Sequence, residues 1–259
     1  LTGANTYAGG TSVTAGSLQG AVGSLPGKIT VATNAKLIFD QDDNAAKADP
    51  IDGGGSVVKQ GAGILTLTGA NSYTGGTTVS LGTLQGSASS LGAGGIEIAS
   101  DTHLIFDQSS DGTKGAAITG AGDLTKLGAG TLTLTGTNSH SGGTVISAGS
   151  LRGAAASLPG NILIAVGAAL RIDQTGTGTL AGSITGEGSV EKLGTGTVIV
   201  SGTNSYSGGT TISQGALQLG SDLPGNVSVA AAGTLSGAGT LTGAQLDVAG
   251  TVQPRGASS

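Results

Sequence analysis

The sequence predicts an all-β fold, a right-handed parallel β-helix (β-solenoid) of about 12 coils. Three observations carry that expectation. Glycine supplies 52 of 259 residues while aromatics make up 2%, so Leu, Ile, Val and Ala must form the core around many tight corners. A long unit recurs at near-constant spacing. Inside it one apolar position recurs in steps of seventeen to twenty, interrupted by three steps of twenty-eight. The shorter beat leaves no room for a βαβ crossover, which needs about 30 residues.

The long unit opens at Leu1 as LTGANTYAGGTSVTAGSLQG and returns at Leu67, Leu134 and Val200, offsets of 66, 67 and 66. A second block, KLIFDQ at 36–41, returns as HLIFDQ at 103–108 and ALRIDQ at 169–174. A third, KQGAGILTLTG from Lys59, returns from Lys126 and Lys192. Units 1–66, 67–133, 134–199 and an incomplete 200–259 fill the chain, which reads as a single β-helical fragment over 1–259.

The shorter beat is marked by Leu18, Leu37, Leu65, Leu84, Leu104, Leu132, Leu151, Leu170, Val198, Leu217, Leu235 and Val252. Nine of these twelve follow a glycine two residues earlier, and a second apolar column (Val13, Val31, Val79, Ile98) lies five or six residues upstream. Each step therefore reads as strand, glycine corner, strand. Stacked coils place matching residues about 4.8 Å apart and give 12 coils an axis of roughly 58 Å. The three long steps predict loops of eight or nine extra residues near 41–55, 108–121 and 174–187. A narrow bore filled by stacked Leu and Val accounts for the missing aromatics. A β-propeller is the competing architecture, but the long unit exceeds the usual length of one blade and leaves the shorter beat unexplained.

Composition excludes several classes. Five prolines cannot supply a collagen triple helix. A hydrophobic content of 37%, a charged content of 10% and a mean hydropathy of +0.21 are the reverse of a disordered composition. The net charge, 10 − 15 = −5, with no basic cluster, gives no footprint for nucleic acid or an anionic membrane. The best apolar stretch, Ile162 to Leu170, falls short of the roughly 18 residues of a membrane helix, so no membrane insertion of this fragment is expected. The absence of cysteine rules out disulfides and thiolate metal sites; it suits a cytosolic protein or one threaded unfolded through a secretion pore. A start without Met or a signal-like region reads as a piece of something longer.

The phrase K-x-G-x-G-x-L-T-L-T-G-x-N-S-Y-x-G-G-T-T-V-x-x-G-x-L stands at Lys59–Leu84 and recurs at Lys126–Leu151, with His140 in the Tyr place, and at Lys192–Leu217. It resembles the passenger-associated transport repeat of Gram-negative autotransporters. The stretch 233–256 resembles the segment before that family's final passenger coils, with Arg255 interposed before Gly256. The resemblance implies a type V secretion passenger exported through its own outer-membrane β-barrel and displayed at the cell surface. On it rests the functional expectation: a non-catalytic β-helical stalk that supports secretion and folding, and adhesion or self-aggregation, with a second copy or a host surface or matrix ligand as partner. The alternatives are a carbohydrate-active β-helix enzyme and a host-protein-binding module.

No catalytic, cofactor or metal residue is assigned. Asp40, Asp107 and Asp173 recur with the repeat; three coils apart, they would stand roughly 14 Å from one another, too far to share a calcium ion or a glycosidase site. Turn capping through backbone N–H groups explains the repetition better. The unrepeated acids Asp42, Asp43, Asp49 and Asp52 read as an acidic surface loop able to meet a weak cation or a basic partner. Asn5, Asn71, Asn138 and Asn204 precede Tyr7, Tyr73, His140 and Tyr206 by two residues; the expectation is a turn with Asn in the left-handed conformation and the ring covering the coil edge. His103 and His140 lie in different repeat positions without a partner constellation, which argues against a triad. The G-x-G runs lack the lysine and following helix of a phosphate loop, and no flat Thr array of the ice-binding kind is present.

Overall fold

The computed structural model describes residues 1–243 and 245–254. Arg255 and Gly256 of the C-terminal phrase lie outside the described residues. The chain forms two compact units: Leu1–Gln108 with Gly112–Thr125 and Ser139–Gly142, and Ser109–Asp111 with Lys126–Asn138 and Gly143–Ser259. Both are stacks of parallel β coils, together making about 12 turns, so the expected β-solenoid is the observed architecture. Helical structure among the described residues is limited to two 3-10 turns, Val22–Ser24 and Ala155–Ser157. No helix is long and apolar enough to cross a membrane among the described residues.

The first unit has three strand faces. Thr11–Val13, Ile29–Val31 and Ile51–Asp52 form one. Ser17–Gly20, Lys36–Asp40, Ser56–Gln60, Thr77–Val79, Ile96–Ile98 and Ile118–Gly120 form the second. Ala45–Lys47, Ile64–Leu67, Thr83–Gly86 and His103–Asp107 form the third. Registers set the coil at about twenty residues: Leu37 opposes Val57 and Val57 opposes Thr77, with eighteen where Thr11 opposes Ile29 and twenty-two where Ile29 opposes Ile51. Inward positions alternate with outward ones, as a strand requires, so Leu37, Phe39, Val57, Leu65, Leu84, Ile98, Leu104 and Phe106 are fully buried.

The second unit repeats this plan. Thr131–Leu134, Ser150–Gly153, Ala169–Asp173 and Ser189–Leu193 continue into two long strands, Thr210–Leu219 and Val227–Gly237. The first half of Thr210–Leu219 pairs with Ser189–Leu193 and its second half with Thr197–Val200, so two faces merge into one strand. The coil is eighteen where Leu217 opposes Leu235, as it is where Thr144 opposes Ile162, and seventeen where Leu235 opposes Val252.

The structure corrects the expected loops. Leu37 and Leu65 do not oppose each other across a looped excursion; Leu65 opposes Ala45. The long step is one coil of twenty plus a move of eight onto the next face. Segments 41–55, 108–121 and 174–187 therefore carry core strands, with Ile51, Ile118 and Ile184 buried in them. Three coils of twenty leave six or seven positions of each repeat over, so a repeat position advances one face each time. Leu18 stands on the second face of its unit and its counterpart Leu84 on the third. Alternating burial looks the same on every face, which is why the pattern alone does not reveal the shift.

Two glycine sets hold the corners. Gly16, Gly82, Gly149 and Gly215, two residues before a beat marker, have φ of 68, 71, 64 and 65°. At Gly120, φ is 105°, and an added Cβ would lie 2.1 Å from the Ile98 carbonyl oxygen. Both conformation and space exclude a side chain there. The scarcity of aromatics does not reflect a bore too narrow for them: Phe39, Phe106, Tyr73 and Tyr206 are among the largest fully buried side chains.

Candidate functional site

The recurring DQ pair divides its labour by strand alternation. The aspartate points outward and takes a side-chain donor from the preceding coil: Asp40 from Gln19 at 2.8 Å, Asp107 from Gln85 at 3.2 Å, Asp173 from Arg152 at 2.5 and 3.1 Å. These bonds run to side chains rather than to the backbone N–H groups expected of turn caps. The expected column of three aspartates does not hold either, because Asp40 and Asp107 sit on different faces and Asp173 in the other unit. The glutamine turns inward. The Oε1 atoms of Gln41, Gln108 and Gln174 accept from the backbone N–H of Val22, Ala88 and Ala155 at 2.9, 2.9 and 3.0 Å. Each thereby satisfies a corner amide that the ladder leaves over.

The asparagines are rungs rather than left-handed turns. Among the described residues the non-glycine positions with positive φ are Asn34 and Asp101. Asn71 is buried and spans three coils: its Oδ1 accepts from Ile51 N–H at 2.7 Å and its Nδ2 donates to the Ser90 carbonyl at 2.6 Å. Asn5 and Asn138 donate to the Ser24 and Ser157 carbonyls at 2.8 Å. Asn204 accepts from Ile184 N–H at 3.1 Å. The rings that follow turn into the core: Tyr73, His140 and Tyr206 are buried and only Tyr7 of this slot is exposed. Tyr73 and Tyr206 bond Thr77 and Thr210 at 2.7 and 2.5 Å, and burial pushes both phenols up to about 12. Burial pulls the His140 imidazole below its usual value. An aromatic sugar-binding row is thereby excluded at these three positions.

The acids Asp42 to Asp52 are dispersed. Asp42 accepts from Ala62 N–H at 3.2 Å, Asp49 from Gly27 N–H at 3.1 Å and from Lys47 at 2.7 Å, and Asp52 pairs with Lys28 at 2.6 Å. The lysines and the hydrogen bonds they donate hold Asp49 and Asp52 below the usual carboxylate range. No three His, Cys, Asp or Glu side chains gather into a metal-holding group among the described residues. His103 Nδ1 lies 2.7 Å from Asp123 at the surface.

What the sequence reading misses is a set of buried lysines. Lys59, Lys126 and Lys192, each leading a K-x-G-x-G run, are fully buried. Each ammonium donates to the carbonyls of its own corner and of the coil above. For Lys59 these are Gln60, Gly61 and Leu81 at 2.8, 2.6 and 3.1 Å. For Lys126 they are Leu127, Gly128 and Ala148 at 2.8, 2.7 and 3.2 Å. For Lys192 they are Leu193, Gly194 and Gln214 at 2.6, 2.8 and 3.2 Å. Burial lowers the pKa of Lys59 and Lys192, against the pull of the outer aspartates. The signal is present in the sequence: a lysine kept at one slot of an apolar strand, with inward parity, before a glycine corner.

A second lysine position behaves differently. Lys47 and Lys114 occupy one repeat slot and both are buried. Lys47 has Asp49 as its charge partner. Lys114 donates to the carbonyls of Leu91, Gly92 and Gly94 at 3.3, 2.7 and 2.9 Å, and burial pulls it down to about 8. A cavity of about 580 Å³ opens beside it, lined by residues including Asn71, Ser89, Thr113 and Ala116.

The fold and its recurring bonds define a β-solenoid whose polar repeat positions serve coil-to-coil stacking. The model of the passenger-associated transport repeat matches at residues 1–19, 57–85, 124–152 and 190–219; all four segments carry the Asn rung, and the last three also carry the buried ring and the capped lysine. The chain is also similar to the Adhesin BmaC autotransporter of Brucella suis biovar 1, 37% identical over 199 residues. That stretch is 66% of this chain and 6% of the adhesin's length. The repeat matches and the adhesin together support an autotransporter passenger. No solved structure matches the chain.

Proposed function

We propose that residues 1–259 belong to a surface-displayed autotransporter passenger and form a stalk without chemistry of its own, which supports secretion and folding and extends an adhesive or self-aggregating surface. The observation that carries this reading is the destination of the polar repeat groups. The Lys59, Lys126 and Lys192 ammoniums tie their own corners to the next coil, and the Asn rungs and Gln carbonyls bond to neighbouring coils. A coil of this kind needs only its already folded neighbour as template. Stepwise folding outside the cell would then bias export outward through the protein's own outer-membrane β-barrel. The acids Asp42 to Asp52 diverge instead of converging on a groove, which argues against the carbohydrate-active alternative. The role named for the Brucella relative supports adhesion.

The test is display of residues 1–259 on a Gram-negative cell, fused to an outer-membrane barrel. The reading expects protease-accessible passenger outside the cell, together with clumping or matrix attachment. Retention of the fusion inside the cell, or robust turnover of acidic polysaccharides by the purified chain, would overturn it.

A further inference from the structure

The internal repeat provides its own comparison at the Lys47 slot. In the first copy Lys47 Nζ donates to the Gly27 carbonyl at 2.6 Å and to Asp49 Oδ2 at 2.7 Å, and the same oxygen accepts from Gly27 N–H at 3.1 Å. In the second copy the corner glycine is Gly92, which again accepts from the lysine, at 2.7 Å, and the carbonyls of Leu91 and Gly94 accept from it as well, at 3.3 and 2.9 Å. The place of Asp49 falls to Ala116, one repeat further along. In the third copy both members are gone: Leu180 replaces the lysine and Gly182 the aspartate. The three copies are thus a matched ion pair, a cation without its carboxylate, and an uncharged site.

In the second copy the vacated position opens into a cavity of about 580 Å³. That volume falls within the roughly 300–1,000 Å³ typical of small-ligand sites. Lys114, Thr113 and Ala116 line it on one coil, Ser89 and Gly92 on another, and Asn71 on a third. Asn71 is already held by Ile51 and Ser90, so this wall is rigid. The three carbonyls hydrogen-bond the Lys114 ammonium without neutralising it, and unlike Lys59 and Lys192 it has no aspartate acting on it. Buried charges are normally paired, and the first copy shows which charged group this corner accepts.

We infer that the cavity over Lys114 is a binding site for a small organic carboxylate, whose oxygens take the position that Asp49 occupies over Lys47. The cavity's hydroxyl-bearing rim, Ser89 and Thr113, suits an acid that carries hydroxyls of its own, such as a sugar acid. This inference stands apart from the stalk reading, since a small-ligand site requires neither export nor display.

The experiment is amide NMR of the purified chain titrated with acetate, with D-glucuronate and with the neutral methyl ester of glucuronate, at constant ionic strength. The expected result is saturable shifts at Ala93, Thr113 and Ala116 with a Kd of about 1–10 mM, the range that one charge-assisted contact in an open cavity supports. Shifts with both acids identify the carboxylate alone as the recognised group. Shifts with glucuronate only identify the sugar acid. Ala116→Asp supplies the missing carboxylate internally and should weaken the response at least tenfold while leaving the rest of the spectrum in place. Asp49→Ala should create a second response at Gly27. No saturable shift in the natural chain, an equal response to the ester, or an undiminished response in Ala116→Asp would each overturn the inference.

Discussion

Replacing Lys192 with methionine tests the buried-lysine corner directly. Methionine keeps most of the unbranched apolar stem and removes the ammonium. The carbonyls of Leu193, Gly194 and Gln214 then lose donors now at 2.6, 2.8 and 3.2 Å. Hydrogen bonds to a charged group contribute about 1.5–3 kcal/mol each, and the longest of these three contributes least, so the gross loss is about 5 kcal/mol. Against it stands relief of the ammonium's desolvation, the main cause of its lowered pKa, which at several kcal/mol per buried ion offsets more than half. The net expectation is a loss of about 2 kcal/mol. Because stacked coils need not unfold as one transition, the assay is residue-resolved native-state hydrogen exchange. Protection at Gly196 and Ala216, whose N–H groups donate to the Gln174 and Gly196 carbonyls at 2.7 and 3.0 Å, should fall about thirtyfold, with little change in Thr11–Val13 of the other unit. Protection equal to that of the natural chain would show that desolvation cancels the three bonds, and would refute the role given to all three repeat lysines.

The remaining predictions concern single positions. Asn71→Asp removes the donor to Ser90 and sets a carboxylate 2.6 Å from its carbonyl oxygen; a loss of about 3 kcal/mol in the local opening free energy from native-state hydrogen exchange is expected, against about 1 kcal/mol for Tyr73→Phe, which loses one neutral bond. Gly120→Ala forces a Cβ to 2.1 Å from the Ile98 oxygen at φ 105° and should cost at least about 3 kcal/mol by the same measurement. Lys114 titrates near 8 when folded against 10.5 when unfolded. The unfolded chain therefore binds more protons between those values, and stability contributed by this group rises with pH across that window. Urea midpoints at pH 8 and pH 10 should show a larger gain for the natural chain than for Lys114→Met, and an equal gain would contradict the buried-cation assignment.

The solenoid is legible in the sequence because its two causes are local: glycine at corners and apolar residues at inward positions. Gly82 two residues before Leu84, with φ of 71°, shows both in one short segment. The face-to-face register is not legible. Leu37 finds Val57 instead of Leu65, and nothing in an alternating pattern says which of three equivalent faces a strand joins. The site reading fails where a residue type is judged by its usual surface behaviour. Lys59 and Lys114 escape it because a lysine is seldom buried, yet corner carbonyls left over by a short-strand coil provide the acceptors that make burial possible. The residue preference of Asn71 points to a turn, whereas neighbouring coils use its amide as a ladder rung.

The coil register is tested most directly by electron paramagnetic resonance on spin-labelled cysteine pairs, since the chain contains no cysteine of its own. Ile38 and Val58 oppose each other on adjacent rungs, so labels at this outward pair should show strong dipolar broadening, as expected for a rung spacing of about 4.8 Å. Labels at positions 38 and 66, separated by the long step, should broaden distinctly less. Stronger broadening at 38 and 66 than at 38 and 58 would restore the looped long coil and contradict the solenoid of about twenty residues to a coil on which the placement of every buried lysine depends.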